Sequence, residues 1–95
     1  MGRGMLSFRP LGVVAVPTLV AEMIRNKLAV GTLPHDDPVR LRAGRGSGSP
    51  CAGCGELILG TEPEYAPQYN DPRPVVRFHG RCYGIWDAER YPRLI

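Results

Sequence analysis

Three cysteines and one histidine stand in two short-spaced pairs, Cys51-x2-Cys54 and His79-x2-Cys82, with 24 residues between them. Thiolate and imidazole are donors that zinc prefers, and four of them in two pairs complete a tetrahedral shell around one ion. The set uses every cysteine of the chain. A closed shell leaves no position for water or substrate, so the spacing predicts one structural Zn2+ and no chemistry at the metal. The imidazole favours zinc over iron. No catalytic residue is nominated, and the chain reads as a non-enzyme.

Other chemistries fit less well. A redox dithiol at Cys51 and Cys54 would need a βαβ pattern around it, which is absent. Pro50-Cys51-x2-Cys54 matches the second half of a zinc deaminase signature, yet the only upstream histidine, in His35-Asp36-Asp37, lacks the accompanying glutamate. The Gly-rich stretch Gly44 to Ser49 is followed by no Lys-Ser or Lys-Thr, which excludes a P-loop. Glu62, Glu64, Asp87 and Glu89 are read as solvated charges, because no pocket-forming sequence surrounds them. Arg73, Arg77 and Arg81 bracket the last strand. With Arg40, Arg42 and Arg45 in the stretch from Leu33 to Pro50 they are the candidate nucleic-acid contacts, and Tyr83 and Trp86 could stack on bases. The competing readings are that Arg77 and Arg81 neutralise the thiolates, that the other three keep a linker solvated, and that Trp86 is the main core residue.

With 95 residues the chain is one domain at most, near the size where an apolar core alone gives marginal stability. A metal is the expected staple. An odd number of cysteines argues against a disulfide framework and for a reducing compartment, so the expected location is cytoplasmic. The formal charge is +3 with neutral thiols; three thiolates (−3) and one divalent ion (+2) bring it to +2. That surplus permits nucleic-acid contact without demanding it. No run approaches the roughly 20 apolar residues that span a bilayer, and no membrane partner is expected.

The elements that must position the ligands follow in order. Residues 1–16 read as a flexible leader. Residues 17–31 read as an amphipathic helix, opened by Pro17 and closed by Gly31 and Pro34, with Val20, Ile24 and Leu28 on its apolar side. Residues 32–49 read as a Pro/Gly/Ser-rich linker, and residues 50–95 as the zinc-binding domain. Within that domain, Glu56 to Leu59 and Glu62 to Ala66 read as a hairpin, with Pro63 confining the second strand to an edge. Pro74 to Phe78 reads as a strand delivering His79, and Arg81 to Tyr91 as a short helix weakened by Gly80 and Gly84.

A cysteine knuckle, a hairpin and a helix-borne second pair resemble a treble-clef zinc finger. More narrowly they resemble the C-x2-C…H-x2-C half of a LIM domain and the poly(ADP-ribose) polymerase-type finger, which shares the ligand order and the long insert. Phe78 before His79 and Tyr83 after Cys82 belong to that likeness; the second zinc site of a LIM domain has no ligands here. The whole chain also resembles a group of small bacterial zinc-finger-like proteins, through Leu28 to Pro34, the Gly-Ser-Gly linker, Cys51-x2-Cys54-Gly55 and Phe78-His79-x2-Cys82. The resemblance implies a small α+β fold with an N-terminal helix, treble-clef-like zinc-stabilised β-hairpins and a short C-terminal helix. The expected function is a non-catalytic interaction module, a protein-binding adaptor or regulator using the face Leu19 to Leu28 or exposed Tyr65 and Tyr69; the alternative is a nucleic-acid-binding finger.

Overall fold

In the computed structural model, which describes residues 17 to 91, helix α1 runs from Pro17 to Ala29. The leader expected over residues 1–16 lies outside the described residues. Proline suits the first turn of a helix because its missing N–H has no intrahelical acceptor there. Val20, Ile24 and Leu28 recur at four-residue spacing and are buried, while Glu22, Arg25 and Asn26 on the other side are exposed. Gly31 ends the helix in the left-handed region (φ 84°), and the N–H groups of Thr32 and Leu33 both donate to the Lys27 carbonyl.

Strand β1, Arg40–Arg45, lies inside the stretch read as linker. It pairs antiparallel with β2, Pro63–Gln68, which pairs antiparallel with β3, Phe78–His79, giving the order β1-β2-β3. The hairpin expected between Glu56 to Leu59 and Glu62 to Ala66 is not formed. Leu57 makes a single bridge to Pro50, and the chain turns where Glu62 N–H donates to Leu59 C=O. Residues 63–68 do form a strand, but its first partner comes from upstream.

Hydrogen-bond alternation explains how a strand with two prolines sits in the middle of this sheet. Gly46 N–H donates to Glu62 C=O one step beyond the Arg45↔Pro63 pair, so Glu64, Ala66 and Gln68 turn their main-chain groups toward β1. Pro63 and Pro67 then face β3. They cost the longer ladder nothing and offer no donors to the shorter one. Between them Tyr65 pairs with Phe78, and pairing extends one further residue, Glu64↔His79. That is a physical reason why the strand expected over Pro74 to Phe78 shrinks to two residues.

Helix α2, Gly80–Glu89, follows β3 directly. Trp86 is fully buried, as the sequence reading anticipated, and its indole N–H donates to Pro34 C=O at 3.0 Å. Its ring lies 5.2 Å from Phe78 and 5.6 Å from Tyr83. Arg90, at the end of α2, covers the Trp86 ring at 4.7 Å and donates to Asp87, Asp37 and the His35 carbonyl. The chain after α1 is therefore fastened to α2 at two points. The core formed by Val20, Ile24, Leu28, Leu33, Ile58, Phe78 and Trp86 surrounds the three cysteines.

Candidate metal centre

The backbone turns at Cys51 to Cys54 so that both sulfurs face inward, and Gly55 N–H closes the turn on Cys51 C=O at 2.9 Å. Gly55 itself adopts φ 86°, a conformation that favours glycine. Gly53 suits its place by space rather than by dihedral: a Cβ there would come within 3.1 Å of Ile24 and 3.3 Å of Cys82, and those side chains would have to give way by a few tenths of an ångström. The knuckle thus sits directly on α1 and α2. Lys27 fixes it from α1, its Nζ donating to Ala52 C=O at 2.9 Å and Gly53 C=O at 3.0 Å.

The second pair arrives from two elements in succession. His79 ends β3 and Cys82 lies in the first turn of α2, where the helix dipole favours a thiolate. The three sulfurs and a nitrogen of His79 all lie within 4.8 Å of one another, and all four residues are buried. His79 Nδ1 is 3.5 Å from Cys54 Sγ and 3.9 Å from Cys82 Sγ. Metal–sulfur and metal–nitrogen bonds of about 2.3 and 2.0 Å in a tetrahedron place donors about 3.5 to 3.8 Å apart, so the cluster fits an ion at its centre.

The surroundings of the donors suit that use. Gly53 N–H and His79 N–H point at Cys51 Sγ at 3.3 and 3.4 Å, stabilising negative charge on this sulfur. The hydrogen bond from the Cys82 thiol, supported by these amides, brings Cys51 down to about 4 against the effect of burial. Burial raises Cys54 above its ordinary value. Cys82 is raised as well, first because its proton is held by Cys51 and then by burial. Without an ion one thiolate therefore shares its proton-bearing neighbours, and a divalent cation would replace those protons.

His79 presents Nδ1 to the sulfurs and Nε2 to Leu57 C=O at 3.1 Å and Glu62 Oε1 at 3.3 Å. With Nδ1 as the ligand, the Nε2 proton has two acceptors, which fixes the tautomer and the orientation of the ring. Glu62 is held ionised below its ordinary value, mainly by the Leu59 N–H donating to it at 2.9 Å. This corrects the reading of Glu62 as a solvated charge. Nor are its companions free: Glu64 binds Arg77 and Ser47, Asp87 binds Arg90, and Glu89 binds Arg25. Lys27 and Glu62 act on the ligands across long stretches of chain, and no spacing signal marks either.

The six candidate arginines do not converge. Arg73 is clasped by Asp36 and Asp71, and covers the Tyr69 ring at 3.8 Å. Arg77 pairs with Glu64 rather than with the thiolates. Arg81 is exposed on α2 beside a groove lined by Ala21, Arg25, Ile85 and Glu89. Arg40, Arg42 and Arg45 share β1, whose six residues are all exposed, and have no carboxylate within ion-pair distance among the described residues.

The apolar side expected for docking is also spent. Val20, Ile24 and Leu28 are core residues, Tyr65 stacks on Tyr83 at 5.5 Å, and the Tyr69 hydroxyl donates to Asp36 C=O. Among the described residues no helix is long and apolar enough to cross a membrane. No family model, curated protein or solved structure matches this chain.

Proposed function

We propose that the chain is a non-catalytic interaction module, treble-clef-like in its C-terminal half, that one structural Zn2+ holds together and that binds another protein. The observation that carries this reading is the buried Cys51, Cys54, His79 and Cys82 set, whose four donors lie within 4.8 Å of one another, with His79 Nδ1 3.5 and 3.9 Å from two of the sulfurs. Three thiolates and an imidazole select a borderline-soft tetrahedral ion, and zinc bound there would supply cross-linking energy between knuckle, β3 and α2. Cys51 and Cys54 would anchor the knuckle and Cys82 the helix, while His79 transmits the position of Glu62 and Leu57 to the centre.

The choice of a protein over a nucleic acid rests on what the arginines do. Arg73 and Arg77 are neutralised by carboxylates, and Arg81 lies apart on α2. A phosphate-binding surface needs them together and free. Exposed Val39, Leu41, Leu57, Leu59 and Val75 instead give the surface apolar contacts around its charges. The nucleic-acid reading retains one favourable observation, the trio Arg40, Arg42 and Arg45. Binding of zinc-loaded protein to single- and double-stranded DNA and RNA, titrated with salt, decides between them. Weak, non-saturating binding at physiological salt supports the protein reading; tight binding whose logarithm falls steeply and linearly with log salt overturns it.

A further inference from the structure

We propose that the outer edge of β1 is a docking strand for an extended, acidic segment of a protein partner, which joins the sheet beside it. The proposal rests on the protein-binding reading above and names the surface and the chemistry of what it takes. Among the described residues β1 is the terminal strand of the sheet, with β2 on one side only. The alternation that turns Arg40, Arg42 and Gly44 toward β2 leaves the N–H and C=O groups of Leu41, Ala43 and Arg45 directed outward. No proline interrupts that outward row. An exposed row of this kind is a template for a further strand.

Charge says what kind of strand. Arg40 and Arg42 project from one face of β1, roughly 7 Å apart as alternate residues on a strand are, and Arg45 projects from the other. On the same face, Glu64 across from Gly44 is already bound by Arg77 and Ser47. A second copy of this chain would bring like charges together along one ladder. A phosphate backbone lying on one face of the sheet would meet Arg40 and Arg42 but not Arg45, and would leave the outward amides without partners. A strand added at the edge satisfies those amides and also places alternate side chains beside Arg40 and Arg42. On the face shared with Arg45, Leu41 is 40% exposed and Ala43 is small. The fitting segment therefore alternates acidic with apolar residues.

The test uses the full zinc-loaded chain and a fluorescein-labelled short peptide alternating glutamate with valine, read by fluorescence anisotropy. Controls are the same peptide with lysine for glutamate, and a poly-dT oligonucleotide. The glutamate peptide should bind and the lysine peptide should not. Arg40→Glu with Arg42→Glu should weaken binding at least about tenfold, since each ion pair is worth up to about fivefold and reversal adds repulsion. Ala43→Pro is the sharper variant, because residue 43 turns its N–H away from β2. It should leave the melting of the loaded chain in place and reduce peptide affinity at least about tenfold, by removing edge hydrogen bonds.

Peptide binding unchanged by Ala43→Pro, tighter binding of poly-dT than of the glutamate peptide, or no peptide binding by a folded, loaded chain would each overturn the proposal. The last result would leave the zinc-held module standing. A wild-type chain that melts alike with and without the ion is a separate readout, which would overturn that module instead.

Discussion

Chelating the ion should unfold this chain, and the structure supplies the reporter. Trp86 is the only tryptophan and is fully buried. Its ring stacks on Phe78, the residue before ligand His79, and it shares α2 with ligand Cys82. Structural zinc contributes about 10 to 16 kcal/mol to folding at neutral pH. A whole domain retains only about 5 to 15 kcal/mol. The apo chain must also bury three sulfurs and an imidazole within 4.8 Å of one another. Removing the ion therefore takes away as much as, or more than, the net stability. Titrating zinc-loaded protein with a chelator should shift Trp86 emission to the red in step with loss of far-ultraviolet circular dichroism, and abolish the thermal transition. Cys82→Ser should reproduce this at any zinc concentration that leaves wild type folded, since serine keeps the shape but not the ligand. Domains this small move by about 4 to 8 °C per kcal/mol. A chelated chain that keeps its blue emission and melts cooperatively within 10 °C or so of the loaded form would therefore limit the ion to about 2 kcal/mol and refute the reasoning.

Further outcomes follow from contacts around the centre. Glu62→Ala should weaken zinc about tenfold in competition with a chromophoric chelator, because His79 Nε2 keeps Leu57 C=O but loses the carboxylate at 3.3 Å. Lys27→Met should lower the denaturation free energy of the loaded protein by about 1 to 3 kcal/mol, since two knuckle carbonyls lose their donor. Trp86→Ala should cost about 3 to 5 kcal/mol in the same assay, as a fully enclosed ring is removed and Pro34 C=O loses its donor. Asp37 is held below its ordinary value of 3.8, first by the hydrogen bond from Arg90 and then by that from Tyr91. A carboxylate lowered on folding contributes stability that is complete above 3.8 and lost only as pH falls through its lower folded value. Asp37→Asn should therefore reduce the melting midpoint by the same amount at pH 6 and pH 8, and a gap that changes between them would contradict the assignment.

The ligands and the first helix were legible because their signals are local. Two residues between cysteines limit the turn between them, and Val20, Ile24 and Leu28 at four-residue spacing define a buried face whatever lies opposite. Trp86 was legible by size alone. The sheet was not. Arg40 to Arg45 contains three arginines and a glycine, carries no inward apolar face, and is exposed along its whole length. Its order comes from the main-chain ladder to β2, and a ladder has no side-chain pattern to announce it. Pro63 pointed to an edge strand for a sound reason, namely the missing donor. What the sequence did not reveal is that both prolines of β2 fall in one alternation phase and face the two-residue partner.

The same physics separates the chain's charges into two classes that composition cannot distinguish. Glu62, Glu64, Asp37 and Asp87 look like solvated acids in sequence, yet each meets a cation or a ligand imidazole in the fold. Arg77 and Arg90 are the corresponding cations, and with Arg73, which Asp36 and Asp71 clasp, each is taken up in holding a loop or strand against its neighbour. Had the arginines served only solubility, their pairing would be indifferent to place. Instead the pairs gather around the metal half and the α2 terminus, and β1 alone keeps a like-charged row without counter-ions among the described residues. A fold that pairs Arg73, Arg77 and Arg90 with carboxylates, and leaves Arg40, Arg42 and Arg45 unpaired among the described residues along one exposed edge, makes that edge the place where an acidic partner gains most.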